Sequence, residues 1–552
     1  VTASPETAER DRSGHAGTLA LAAARAHGVQ TLFTLSGAHI FPLYDAAVST
    51  EPMRLVDVRH EQSAVFAAEA TAKLTRRPAL AAVTAGPGVT NTVSAVTQAQ
   101  ASGVPLVVLG GRAPAFRWGT GALQELDHPP LLAPVTKASS TAATAADVYS
   151  GVDEALRIAA MPHRGVVFID VPMDQLFSHA TVTPAPVAIP VPIEPDPDDV
   201  VAVAALLAAA ERPVLVLGSD VWLDGADQAA RALVEVTGVP VVANGMGRGI
   251  LPAGHPRLVS KARGPAFGAA DLVVVAGTPL DFRLAYGSFG AARVVHLADS
   301  PSQLATHVEL AGSAAGSLQL MFERLCEAWQ AAPARVDLTP WQDELARQVA
   351  AATERDRLLL QAEAADGIHP ARVYGALLPL LTPDTVVVAD GGDFVSWAGR
   401  FVEPSRPGGW LDPGPYGCLG AGLGAALGAG VTRPGAPVVV LLGDGAAGFA
   451  LAELDSLVRH QVPVLVLVGN NGAWGLEKHP MRLLYGYDVL ADLSRDTRYD
   501  RVAEAFGGGG ETVADPRDLP AALRRGLTAG RPYVVNVLLD PEVAYPRTTT
   551  GV

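Results

Sequence analysis

Two cysteines in 552 residues, Cys326 and Cys418, are too few to staple a secreted fold or build a thiolate metal centre, so a reducing compartment, the cytoplasm, is expected. Positive charge is scarce as well. Lys and Arg number 41 against 56 Asp and Glu, a net charge of −15, and no basic tract interrupts that balance. This excludes nucleic acid and anionic membrane surfaces as natural partners. Long apolar runs are missing too: Val438–Leu442 and Val462–Val468 fall far short of the roughly 20 residues that span a bilayer. The opening VTASPETAERDRSG is polar where a signal peptide would need an apolar stretch, so export is not expected.

What remains is globular, with 49% hydrophobic and 18% charged residues. At roughly 100 to 200 residues per domain, the length implies about three domains. Helix-like, Ala-rich segments alternate with the short apolar runs TLFTL at Thr31, LAAVTAG at Leu80, PLVVLGG at Pro105 and GVVFIDVP at Gly165. This alternation predicts a doubly wound α/β sheet over residues 13–180. PAPVAIPVPIEPDP follows and reads as an extended linker, because proline suits neither helix nor central strand. A second α/β unit is expected over 195–330, with runs at Pro213, Pro240, Asp271 and Arg293. A third is expected over 365–545, with runs at Val386, Pro437, Pro463 and Pro532. The fold class is therefore α/β, three tandem parallel-sheet domains.

The most informative stretch is GDGAAGFALAELDSLVRHQVPVLVLVGNNGAW from Gly443. Asp444 ends one apolar strand and Asn471 the next, with a crossover helix expected from Ala447 to Arg459. In a parallel sheet the two ends share the rim where ligands bind. The Asp444 carboxylate, the Asn471 amide oxygen and the Ala473 carbonyl are three hard oxygen ligands, a set that suits Mg²⁺ carrying a diphosphate. Backbone N–H groups of Gly443, Gly445 and Ala446 lie at a helix start, which also favours a diphosphate.

GDG followed by NN at this spacing resembles the signature of thiamine-diphosphate-dependent enzymes. Near the N-terminus, VRHEQSAVFAAEA, in which a strand ending at Arg59 is expected to run into a helix, resembles the segment of the same superfamily that carries its catalytic glutamate, here Glu61. The implied role is a hydrogen bond to N1′ of the aminopyrimidine ring. LSGAHIFP, AGPGVTN and GALQELDH extend the resemblance and imply cofactor contacts at Gly37, Pro87 and Asn91. In DPGPYGCLGAGLG, Leu419 matches the bulky residue that props the two cofactor rings into a bent shape. ADGGDFVSW places Phe394 at a position that contacts the diphosphate in relatives; the neighbouring Asp393 would repel phosphate, so only backbone N–H contacts are expected there. The resemblance further implies a homodimer or homotetramer with active sites between subunits, and a Rossmann-like central domain holding ADP, FAD or nothing. LGSDV, with Gly218 and Asp220, has no second close glycine for a pyrophosphate.

Within the superfamily the chain resembles the acetolactate synthase group, which includes 2-hydroxyacyl-CoA lyases and oxalyl-CoA decarboxylases. NNGAWGLEKHP departs from the synthases, with Leu476, Glu477 and Pro480 where those carry Met, Val and Trp. Segments containing Gln124, Glu125, Lys137, Asp281 and Arg283 look more like lyases. The expectation is therefore a reversible lyase that splits a 2-hydroxyacyl-CoA into an aldehyde or ketone plus formyl-CoA. In it Glu61 activates the cofactor, Gln124 and His39 contact the reacting oxygen, and Glu477 moves the substrate hydroxyl proton. The terminus at TTTGV leaves CoA open, since CoA-using relatives add a tail there. The alternatives are a decarboxylating ligase of pyruvate, like acetolactate synthase, and a non-catalytic nucleotide-binding relative. A nicotinamide dehydrogenase fits less well, because no GxGxxG follows a strand.

Overall fold

The computed structural model describes residues 11–187 and 191–546; residues 188–190 of the proline-rich stretch and the TTTGV terminus lie outside them. The first sheet contains β2 (Thr31–Thr34), β3 (Arg54–Asp57), β4 (Ala79–Val83), β5 (Leu106–Arg112), β6 (Ala138–Thr141) and β7 (Val166–Pro172). Its strands are parallel in the order β3-β2-β4-β5-β7-β6. A two-stranded antiparallel ribbon of β1 (Arg12–His15) and β8 (His179–Val182) pairs the beginning of this region with its end. The central sheet, also parallel, is β10-β9-β11-β12-β13, from β9 (Pro213–Leu217), β10 (Val241–Ala243), β11 (Leu272–Ala276), β12 (Arg293–Ala298) and β13 (Gly312–Ala315). The third has β14 (Val386–Ala389), β15 (Trp410–Leu411), β16 (Val438–Gly443), β17 (Leu465–Asn470), β18 (Gly509–Val513) and β19 (Tyr533–Leu538), ordered β15-β14-β16-β17-β19-β18.

The first and third sheets thus have the same connectivity: each begins next to one edge, reverses, and ends with its last two strands exchanged. The central strands of both are Val-, Leu- and Ala-rich and buried on two faces, which is why they read as unbroken apolar runs rather than alternating ones. In the central domain separate apolar clusters fill the two sides of the sheet, one around Leu215, Leu233 and Phe322 and the other around Val216, Val273 and Trp341.

The described chain forms two compact units. One comprises the first domain together with Tyr416–Arg433 and Ala452–His460; the other comprises Pro192–Pro415, Pro434–Leu451 and the chain from Gln461 onward. Within the first, the helix Ala421–Thr432 lies against the helix Glu61–Thr75 through small residues. A Cβ on Gly428 would lie 2.8 Å from the Ala67 carbonyl carbon, and one on Gly424 would lie 3.1 Å from the Ser63 carbonyl oxygen. Glycine at these two positions lets the backbones approach.

Two local expectations need correction. The strand before Glu61 ends at Asp57, and His60 caps the following helix by accepting from the Gln62 N–H at 3.3 Å. The crossover expected from Ala447 to Arg459 is two short helices, Asp444–Ala447 and Glu453–Arg459, because Gly448 and the turn after it break the run. Among the described residues, no helix is long and apolar enough to cross a membrane.

Candidate active site

In the first unit, several of the residues singled out by sequence meet beyond the carboxyl ends of β2 and β4. Glu61 opens its helix and is 9% exposed. Its Oε2 accepts from Asn91 Nδ2 at 3.0 Å. Asn91 follows the single turn Pro87–Thr90, in which a Cβ on Gly88 would stand 3.8 Å from Glu61 Oε1. Glycine is required there by Thr84, whose Cγ2 would lie 2.7 Å from such a Cβ. Gly37 and His39 come together with Gly88 at Thr84: a Cβ on Gly37 would stand 2.3 Å from Thr84 Cβ. His39 is buried, and its Nδ1 lies 3.1 Å from Thr84 Oγ1. Burial lowers its pKa, opposed by a hydrogen bond to the Leu123 backbone, so the imidazole is neutral at physiological pH. Gln124 is half-buried and adopts a left-handed backbone with φ 60°. Leu419 is half-buried; the N–H of its neighbour Cys418 donates to Gln98 Oε1 at 3.1 Å.

The second unit holds the other group. β16 and β17 are parallel neighbours with Gly443 opposite Gly469, so Asp444 and Asn471 stand at adjacent carboxyl ends. Asp444 is 3% exposed. Its Oδ2 accepts from the Gly472 N–H at 2.8 Å and its Oδ1 from the Gly445 N–H at 3.1 Å. Burial pushes its carboxyl up to about 6 despite those donors. A buried carboxylate at a strand end, short of compensating charge, is the environment a divalent cation would relieve. Asn471 Oδ1 accepts from the Ala473 N–H at 3.1 Å, which holds the turn and brings the Ala473 carbonyl into it. A Cβ on Gly445 would sit 2.5 Å from the Trp474 ring, so only glycine leaves this backbone accessible. Tyr499 Oη donates to the Asp444 carbonyl at 3.3 Å. Trp474 and Tyr499 had no sequence signal of their own, because their role follows from tertiary packing.

Phe394 is 3% exposed and stacks on Tyr374 with ring centroids 5.2 Å apart, so its side chain belongs to the domain core and only its backbone can face a ligand. Asp393 Oδ2 accepts from the Tyr545 N–H at 2.9 Å. Glu477 is exposed on the helix Gly475–Tyr485, where Lys478 pairs with Asp492 at 2.6 Å and Arg482 pairs with Asp488 and Glu542.

Several residues of the lyase-like segments serve local structure. Glu125 Oε2 accepts from the N–H groups of Gly119 and Ala122. Lys137 donates to the carbonyls of Ile158 and Met161, both at 2.7 Å. Asp281 and Arg283 pair with each other at 2.7 Å within one turn. Sequence reasoning passed over a cavity of about 380 Å³ in the second unit, lined by Arg248, Lys261, Arg263, Arg400, Asp356 and Glu403. Burial lowers the pKa of Arg263, and the neighbouring Arg248 and Arg283 lower it further. Lys261 and Arg400 share Asp356, at 2.9 and 2.8 Å. Cationic groups outnumber carboxylates around this space, a composition that suits an anion.

Comparison with known proteins bears on both groups. Residues 15–131 match the family model for the thiamine pyrophosphate enzyme N-terminal TPP binding domain, residues 200–325 the central domain and residues 390–537 the C-terminal TPP binding domain. Along its length the chain is similar to the acetolactate synthase large subunit IlvG of Mycobacterium tuberculosis, 48% identical over 541 residues and 97% of each chain. It is also similar to 2-hydroxyacyl-CoA lyase 2 of Caenorhabditis elegans, 34% identical over 90% of this chain and 84% of that one. The Homo sapiens 2-hydroxyacyl-CoA lyase 2 is 33% identical over 95% of this chain and 90% of its own.

Proposed function

Because the chain belongs to the thiamine pyrophosphate enzyme family, we propose that it is a carbon-carbon ligase of the acetolactate synthase type, which removes CO₂ from a 2-oxo acid and joins the remaining acyl unit to a second carbonyl compound. The observation that carries this reading is the 48% identity to a protein named acetolactate synthase, sustained over 97% of both chains.

Thiamine diphosphate, when bound, supplies an electron sink next to the substrate carbonyl carbon. Asp444, Asn471 and the Ala473 carbonyl would hold Mg²⁺, and the N–H groups from Gly443 to Ala446 would face the diphosphate. Glu61 would hold a proton at the aminopyrimidine N1′, with Asn91 keeping its carboxylate oriented. Leu419 would support the ring edge. Neutral His39 and the Gln124 amide would meet the substrate oxygen, with the Gln124 amide as the donor, since the one N–H of a neutral imidazole is engaged by the Leu123 backbone.

A second reading, cleavage of a 2-hydroxyacyl-CoA, is favoured by the cation-rich cavity around Arg248 and Arg263, whose charge suits the phosphates of CoA. An ADP or FAD molecule would draw on the same charge. The test is product analysis of the purified protein with thiamine diphosphate and Mg²⁺, given pyruvate in one tube and a branched 2-hydroxyacyl-CoA in another. Acetolactate and CO₂ from the first tube, with FAD recovered from the protein, support the synthase. Formyl-CoA plus ketone from the second, with pyruvate untouched, would replace it with the lyase.

A further inference from the structure

His128 and Asp170 are both completely buried, and neither belongs to the groups described so far. The Gly86 N–H donates to His128 Nε2 at 3.0 Å. His128 Nδ1 lies 2.8 Å from Asp170 Oδ2. Since Nε2 accepts, it carries the lone pair and the proton sits on Nδ1, so the imidazole is a neutral, directional link between a carboxylate and a backbone amide. Asp170 is held in turn: Thr141 Oγ1 donates to its Oδ1 at 2.6 Å and Arg112 pairs with its Oδ2 at 3.1 Å. Arg112 also pairs with Asp127 at 2.9 Å and lies 4.0 Å over the Trp118 ring.

The far end of this relay is the backbone on which Gln124 rests. Gly86 has φ 58° and ψ −113°, a conformation open to glycine. A Cβ there would lie 3.1 Å from Gln124 Cα and 3.0 Å from its carbonyl oxygen, so the two backbones are in direct apposition. Gln124 itself sits at φ 60°, a conformation that a non-glycine residue keeps only where the surroundings enforce it. One residue after Gly86 begins the turn that delivers Asn91 to Glu61.

We propose that His128, oriented by Asp170, is a positioning residue that fixes Gly86 and thereby presents the strained Gln124 to the substrate oxygen. This rests on the reading above in which Gln124 meets that oxygen. It predicts its main effect on the step that needs Gln124 and at most a minor one on activation of the cofactor by Glu61, whose Asn91 partner lies beyond the turn that follows Gly86.

The experiment compares wild type, His128→Phe and His128→Gln as full-length protein with thiamine diphosphate and Mg²⁺. Four quantities are measured: hydrogen-deuterium exchange of the peptide containing Gly86 without cofactor, C2–H exchange of bound thiamine diphosphate, and kcat and KM on the substrate that wild type turns over. Phenylalanine fills the space but neither accepts nor donates. With it, Gly86 exchange rises about tenfold, kcat falls about thirtyfold and C2–H exchange stays within about twofold of wild type. Glutamine, which offers one acceptor and one donor, restores much of both losses. Unchanged Gly86 exchange in His128→Phe overturns the inference, as does a loss that only tracks the folded fraction while kcat per folded site is unaltered. Absence of C2–H exchange in wild type refutes the thiamine-enzyme reading instead, and the Gly86 measurement still decides whether His128 fixes that backbone.

Discussion

Asn91 Nδ2 donates to Glu61 Oε2 at 3.0 Å, so the carboxylate at the start of the helix Glu61–Thr75 is held from the turn that follows β4. Glu61→Gln is expected to abolish turnover and C2–H exchange of the cofactor while leaving the protein folded. Asn91→Ala loses only the orienting bond, and kcat falls about tenfold, the equivalent of one hydrogen bond to a charged group. Wild-type turnover by Glu61→Gln would rule out its assigned role.

Asp444 links function to stability with a definite sign. Its carboxyl is raised from 3.8 to about 6 by burial, so the native metal-free state binds the extra proton and this group's contribution to stability declines as pH rises across that window. Two pH units are worth about 3 kcal/mol at most, and an amide must give back part of this by facing one N–H with its own NH₂. Asp444→Asn should therefore raise the melting temperature of EDTA-treated protein at pH 7.5, by about 1 to 2 kcal/mol of stability, and lose the advantage at pH 4. Differential scanning fluorimetry reads both. The same variant should lose Mg²⁺-dependent cofactor binding in titration calorimetry; identical melting at pH 7.5 would count against the argument.

Gly428 is a packing test. A side chain there meets the Ala67 backbone, so Gly428→Leu should destabilise the protein by about 1 to 3 kcal/mol or more and shift the helix that carries Glu61. Urea unfolding gives the first quantity. Gly435, with open space around its Cβ position, is not a neutral control because its φ is +85°; Gly264, open and without that constraint, serves better.

The cavity distinguishes the two substrate classes. Arg263→Ala and Arg400→Ala should raise KM for a CoA thioester about tenfold, by removing a phosphate partner, and leave pyruvate kinetics alone. Equal losses on both substrates would show that these arginines only maintain the structure.

Much of this architecture was legible because the parallel strands are apolar runs ending in small residues, as at Val438–Gly443 and Leu465–Asn470, where spacing alone placed Asp444 and Asn471 on neighbouring ends. Short or polar edge strands gave no such signal: Ala138–Thr141 reads ASST and Gly312–Ala315 reads GSAA, sequences that become strands only through pairing with a neighbour. His128 was visible in GALQELDH, but its partners Gly86 and Asp170 lie 42 residues away on either side. The arginines of the cavity are scattered from Arg248 to Arg400 with no local pattern.

The helix Ala421–Thr432 completes a unit whose main body ends near residue 191. On the ribosome, roughly 230 to 270 further residues must be made before its last pieces emerge, a wait of about 10 to 60 seconds at 5 to 20 residues per second. For that interval the face of the helix Glu61–Thr75 that will meet Gly424 and Gly428 has no covering, since its partner does not yet exist. Efficient production of this protein should accordingly depend on chaperone holding of the nascent chain, and expression yield should respond to translation speed between the first domain and residue 460.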